Sequence, residues 1–252
     1  MKLLVVGAGE MGRWVADTVD AAVAFCDADA SVAADAAASR EARHVPTDST
    51  ESFDAVCLAV PMSTIDAAVE QYAPLATDAI FDVSGVMGDP LAAMDAHGPD
   101  LERASFHPLF APPRVPGNVA VVTATDGPCL QSVREAMTDA GNTVFETTPE
   151  EHDKAMETVQ AGAHTAVLAY ALAAGSVREE FATPVSAQLE DVAATVTEGD
   201  ASVYAEIQST FDGATAVADA AERIANADDE TFVDLYEEAR ATMNADGRER
   251  HQ

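Results

Sequence analysis

Leu3-Leu4-Val5-Val6-Gly7-Ala8-Gly9-Glu10-Met11-Gly12 decides the reading of this chain. Four apolar residues read as a buried strand, three glycines follow as G-x-G-x-x-G, and a helical pattern begins on the far side. A second apolar run, Val23-Ala24-Phe25-Cys26, ends at Asp27, twenty positions after Gly7. Strand, glycine turn, helix and a timed acidic residue together predict a site for a dinucleotide. Gly7 allows the tight turn, Gly9 lets backbone approach a pyrophosphate, and Gly12 lets helix pack closely on strand. Glu10 and Met11 fall in the first helical turn, whose unpaired N–H groups face the phosphates. Asp27 would accept from the ribose hydroxyls and repel the extra phosphate of NADP, so NAD is the expected cofactor.

Outward from this turn, strand-like and helix-like stretches alternate. Ser31–Arg43 suits a helix, Ala55–Val60 a buried strand stopped by Pro61, and Ala79–Val83 another strand. Pro90–His97 and Leu130–Ala140 read as helices, Asn118–Thr123 and Thr143–Glu146 as strands. Repeated βα units predict a Rossmann-type doubly wound α/β fold, mostly parallel, with helices on both faces. At Thr148-Pro149-Glu150-Glu151 the pattern changes: an N-cap, proline at the first helical position and two carboxylates at the positive helix end. Beyond it only helical periodicity is visible, with further helices expected at Pro184–Thr197, Ser202–Ala225 and Asp229–Met243. The expected organisation is a cofactor-binding domain over 1–148, an all-helical domain over 149–245 and a loose polar tail over 246–252.

Composition narrows the function classes. Lysine and arginine total 13 against 44 acidic residues, a net charge of −31. Such an excess repels nucleic acid and anionic membranes. The acids are spread through every element, a pattern expected of a salt-rich cytoplasm, where at ~1 M salt the Debye length is about 3 Å. No apolar run approaches the ~20 residues of a membrane span. Cys26, Cys57 and Cys129 are widely spaced and read as small buried side chains in a reducing compartment. No metal site is expected from them. His152 and His164 share a helix pattern, but twelve residues part them by about three turns, against a zinc pair.

Ligands in doubly wound sheets sit beyond the carboxyl ends of the strands. Three loops are expected there: Pro61-Met62-Ser63, Ser84-Gly85-Val86, and Ser105 to Pro112. Val60 and Pro61 are expected on the cofactor side. His107, between a short apolar stretch and a proline-fixed loop, is placed to take an alcohol proton while hydride leaves for the cofactor.

His107-Pro108-Leu109-Phe110-Ala111-Pro112 resembles the His-Pro-Met-Phe-Gly-Pro motif of the prephenate dehydrogenases. The second half is similar too: Glu151-His152-Asp153, Met156, Gln160, His164 and Tyr170 match that family's first dimerisation helix, and Pro184 and Val203–Ile207 keep its separation. The resemblance implies oxidative decarboxylation of prephenate to 4-hydroxyphenylpyruvate with NAD, His107 acting on the ring hydroxyl. It implies substrate contacts from Ser84, Gln160 and His164, and a homodimer built through the helical domain. The chain departs from the pattern in two places. Thr195 stands where the family has an arginine for a substrate carboxylate, and Gly85-Val86-Met87 replaces a Ser-Val-Lys turn. Arg114 is then the nearest candidate cation, followed by Lys154. The departures keep arogenate open as substrate, and beyond it a relative acting on another hydroxy acid or a dinucleotide sensor without turnover.

Overall fold

A computed structural model describes residues 1–249. They form two compact units, Met1–Ala155 and the chain from Met156 onward.

The first unit is built on an eight-stranded sheet of order β3-β2-β1-β4-β5-β6-β7-β8. Its strands are β1 (Lys2–Val6), β2 (Ala22–Cys26), β3 (Arg43–His44), β4 (Phe53–Leu58), β5 (Ala76–Asp82), β6 (Glu102–Pro108), β7 (Asn118–Thr125) and β8 (Thr143–Glu146). All neighbours pair parallel except β6 and β7. The helices between them are α1 (Glu10–Thr18), α2 (Ala30–Ala38), α3 (Ile65–Tyr72), α4 (Gly88–His97) and α5 (Pro128–Asp139). Near-continuous apolar strands demand cover on both faces, and they receive it. Leu3, Val5, Phe25 and Phe81 pack beneath Trp14, Ala33, Leu130 and Met137 from α1, α2 and α5. On the other face Leu4, Val56, Leu58 and Ile80 meet Ile65, Val69, Leu91 and Met94 from α3 and α4. The expected Rossmann-type sheet is the one observed.

Three elements differ from the sequence reading. The helix expected to reach Arg43 ends at Ser39, whose hydroxyl turns back to the Ala36 carbonyl (3.0 Å). Arg43 and His44 then pair with Ala24 and Phe25 as an edge strand. Residues 105–108, read as loop, are the end of β6. Ser105, Phe106 and His107 pair with Val122, Val121 and Ala120 of β7, and a strand can end on Pro108 because proline is tolerated at strand termini.

The second unit is helical, as expected. The chain leaves the first unit along α6 (Pro149–Met156), and the second opens with a π-helical turn, Glu157–Gly162, that runs into α7 (Ala163–Ala173). It is followed by α8 (Pro184–Thr197), α9 (Ala201–Thr210), α10 (Gly213–Ala225) and α11 (Asp229–Glu249). Reciprocal bonds between Thr183 and Ser186 start α8, with Pro184 at its first position. The single helix expected over Ser202–Ala225 is broken: buried Phe211 is extended, and α10 restarts at Gly213. Gly213 lets the start of α10 lie against the π-helical turn, because a Cβ there would stand 1.8 Å from the Glu157 carbonyl oxygen. α11 continues into the segment read as a tail, of which 250–252 lie outside the described residues.

The β1–α1 turn yields a test. A Cβ on Gly12 would meet the Gly7 carbonyl oxygen at 1.9 Å, and one on Gly7 (φ +94°) the Ala59 oxygen at 2.1 Å. Gly12→Ala and Gly7→Ala should therefore each cost about 1–3 kcal/mol or more. Gly9→Ala, with nothing within 4 Å of the new methyl, should leave stability unchanged. Urea unfolding of the three variants checks this, and equal loss in all three would contradict it.

Candidate active site

At the carboxyl end of the sheet, β2 and β4 flank β1, and the chain leaves β1 and β4 toward opposite sides. Gly7 N–H donates to the Cys26 carbonyl (2.8 Å) and Ala59 N–H to that of Val6 (2.7 Å), so the turns after β1, β2 and β4 are tied together. Asp27 ends β2 and reaches across: its carboxylate accepts from Ala8 N–H (2.8 Å) and Asp29 N–H (2.9 Å). Arg13 of α1 holds the Ala8 carbonyl from the other side (2.8 Å). Gly9 caps α1 with no side chain in the way, and the space where its Cβ would stand is open. Glu10 and Met11 follow in the first turn, and Val60 and Pro61 leave β4 beside it. This open, N–H-lined cradle fits a pyrophosphate, with Asp27 at the far rim.

One face of the sheet changes character as it nears this edge. Among Leu58, Ile80 and Val122 on this face, Asp82, Ser84, Ser105 and His107 are all buried. Asp82 Oδ1 accepts from Ser84 N–H (2.9 Å) and Ser84 Oγ (2.6 Å). Its Oδ2 is buried with no hydrogen-bond partner, since Ser105 Oγ leans toward the Val86 carbonyl (3.4 Å). Burial pushes the Asp82 carboxyl up to about 7, against the opposing pull of Ser84 and, more weakly, Ser105. Ser84 itself is turned inward, within reach of Asp82 and the Val86 carbonyl (3.0 Å).

His107 stands near the end of β6, 7% exposed. Its Nδ1 lies 2.8 Å from His152 Nε2, and His152 Nδ1 lies 2.8 Å from Asp153 Oδ1. The two imidazoles meet edge to face, centroids 5.0 Å apart. Burial, then the neighbouring His152, push the His107 ring down to about 3. His107 is thus a neutral imidazole at physiological pH, able to receive a proton. Arg114 is exposed, in the short turn Pro112–Arg114 that links β6 to β7 at the same edge. Phe110 on that connection packs edge-on against Trp14 of α1, centroids 5.4 Å apart.

In the second unit, Gln160 lies within the π-helical turn and His164 just after it. The turn is held by Gln208 of α9, which donates to the Ala161 carbonyl (3.0 Å) and accepts from the Thr165 hydroxyl (2.9 Å). π-helical turns occur frequently at functional sites. His164 packs edge-on against Tyr204, centroids 4.8 Å apart, with its buried Nδ1 unpaired. Thr195 is half-buried on α8 and Lys154 exposed on α6.

The structure therefore gathers Gly7, Gly9, Glu10, Met11, Gly12, Asp27, Val60 and Pro61 at one crevice. It brings Ser84 and His107 onto one buried face. The sequence reading missed Asp82 and the pairing of His107 with His152. A carboxylate ending the apolar run Ala79-Ile80-Phe81 was the available signal for the first. For the second, forty-five residues of separation left none. Among the described residues no group of three or more His, Cys, Asp or Glu is placed to hold a metal ion.

The two shifted groups make a prediction about stability. The unfolded chain ionises Asp82 near 3.8, while the fold keeps its proton up to about 7. From this group stability falls as pH rises through that window. The unfolded chain protonates His107 below 6.5, while the fold refuses that proton down to about 3, so this contribution rises with pH. Between about 4 and 6.5 the two oppose each other. Asp82→Asn should leave the His107 slope exposed, so its stability rises with pH more steeply than that of the parent. Urea midpoints measured across that range test it, and parallel curves would refute it.

No family model matches the chain. The 4-amino-4-deoxyprephenate dehydrogenase of Streptomyces pristinaespiralis is 30% identical over 215 residues, 78% of this chain and 72% of that protein. A prephenate dehydrogenase from Aquifex aeolicus, solved with hydroxyphenyl propionate and NAD⁺, superposes with a TM-score of 0.72 at 17% identity, covering 100% of this chain and 97% of that one. Synechocystis arogenate dehydrogenase gives 0.67 at 14% identity, each chain covered completely. The sequence relative carries the assignment and the structures carry the fold: this chain belongs to the prephenate dehydrogenase family.

Proposed function

We propose that the chain catalyses the NAD⁺-dependent oxidative decarboxylation of prephenate, yielding 4-hydroxyphenylpyruvate. One observation carries the reading: His107 is a buried, neutral imidazole on the same sheet edge as a glycine cradle open at Gly9. NAD⁺, when bound, supplies the hydride acceptor. The backbone N–H groups at the start of α1 hold its pyrophosphate, and Asp27 takes the ribose hydroxyls while still bracing Ala8. His107 receives the ring hydroxyl proton as the C–H bond breaks, and loss of the ring carboxylate as CO₂ completes an aromatic product. The residues thus orient and deprotonate, while aromatisation supplies much of the driving force.

Arg114 is the proposed cation for a substrate carboxylate, on the connection that follows His107. Ser84 lies beside His107 on the buried face and is proposed to act on the substrate side. Within the helical unit, Gln160 and His164 are the side chains proposed to meet substrate. That unit exposes Leu172, Val177, Phe181, Phe232 and Tyr236, which supports a homodimer formed through it. Three free cysteines accord with a cytoplasmic setting, and no described helix is long and apolar enough to cross a membrane.

A second reading concerns the substituent at ring C4. The curated relative acts on an amino analogue by its name, so 4-amino-4-deoxyprephenate belongs in the assay beside prephenate and arogenate. The purified protein, in molar KCl to suit its charge, should reduce NAD⁺ fastest with prephenate. Preference for either amine moves the substrate and keeps the chemistry. His107→Asn should lower turnover by about 10²–10⁴-fold with NAD⁺ affinity retained, and parental turnover would remove His107 from the mechanism. Asp27→Ala should narrow the preference for NAD⁺ over NADP⁺, whereas an unchanged ratio would exclude Asp27 as the ribose ligand.

A further inference from the structure

We infer that His152, anchored by Asp153, is a positioning residue that fixes His107 in the tautomer carrying its hydrogen on Nδ1, leaving Nε2 as the proton-accepting nitrogen. The inference rests on the reading of His107 as the base and adds how that base is oriented.

The argument runs inward from the carboxylate. An ionised carboxylate only accepts hydrogen bonds. Asp153 Oδ1, 2.8 Å from His152 Nδ1, therefore requires a hydrogen on that nitrogen. A neutral imidazole carries one N–H, so His152 Nε2 is left with a lone pair. His107 Nδ1 stands 2.8 Å from it and must be the donor. The lone pair of His107 then sits on Nε2. Both rings are buried, with the His152 side chain 1% exposed, and the low-dielectric surroundings hold His107 in its neutral form. The Asp153 side chain is 39% exposed, within reach of water. Its Oδ2 also lies 3.7 Å from where a Gly88 Cβ would stand, beside the first residue of α4. The partial positive charge of that helix end favours a carboxylate there.

The arrangement also answers a difficulty that burial creates. His107 resists a positive charge, yet general-base action must place one on it. When the substrate O–H bond breaks, a new N–H bond forms at His107 Nε2 and the ring becomes an imidazolium. Its Nδ1–H already points at a lone pair whose own ring is bound to an anion. The developing charge is thereby stabilised through two hydrogen bonds without any group having to move. A protonated His152 would invert the chain and put the His107 hydrogen on Nε2, where it could not accept from substrate.

Long-range proton–nitrogen NMR correlations on the unaltered protein read the tautomer directly. The Nδ1–H form is expected for both rings, and an Nε2–H form at His107 overturns the inference whatever the enzyme turns over. Variants supply the functional arm. His152→Phe keeps the ring's bulk and removes the acceptor, so kcat should fall about 10²-fold, with KM and NAD⁺ affinity changed less than about threefold. His152→Gln retains an acceptor oxygen and should recover kcat to within about tenfold of the parent. Equal kcat in parent and His152→Phe, or loss in both variants alike, would refute the positioning role. His107→Asn separates the two ideas. If that variant turns over normally the base assignment fails, while the tautomer spectrum still decides this one.

Discussion

Everything at the candidate site depends on a prohibition: no side chain stands between Gly7 and the Ala59 carbonyl. A Cβ there would lie 2.1 Å from that oxygen, well inside any tolerable contact. Because the space is empty, the ends of β1 and β4 close together and the Ala59 N–H reaches the Val6 carbonyl. α1 can then start immediately above the sheet, with Gly12 against the same turn. The crevice is thus set by backbone meeting backbone, and side chains such as Asp27 and Arg13 tie down a shape already determined.

The glycine turn and its timed aspartate were legible because they are local, each residue's task being set by neighbours within one βα unit. The strands β1, β2, β4 and β5 were legible for a similar reason, as unbroken apolar runs buried on both faces. β6 was not. Ser105, His107 and Pro108 look like loop residues, and only pairing with Val122 and Ala120 makes the segment a strand. The π-helical turn was equally hidden, since the backbone packed against it, at Gly213, lies some fifty residues downstream. The sequence motif located His107 and the resemblance gave its chemistry, but the ring that faces it lies on a distant helix.

The polar end of the α3–α4 face shows how an enzyme can keep titratable groups inside a core. Asp82 holds its proton up to about 7 and His107 declines one down to about 3, so at mildly acidic pH the pair is largely uncharged where the unfolded chain would ionise both groups. The surface does the opposite. Its net charge of −31 leaves the exterior crowded with like charges, which dissolved ions screen. Charge is thus spent outside, on solvation, and withheld inside, where an uncompensated ion would be costly.

Trp14 has a further consequence. It is the chain's single tryptophan, it stands on α1 one turn past the glycine cradle, and its ring is buried against Phe110 on the connection that follows His107. One chromophore therefore joins α1 to the connection that leaves β6. The indole is a built-in optical gauge: its emission colour follows the polarity around Phe110, and a reduced nicotinamide nearby would quench it by energy transfer. The protein carries its own spectroscopic label on the helix that follows the glycine turn.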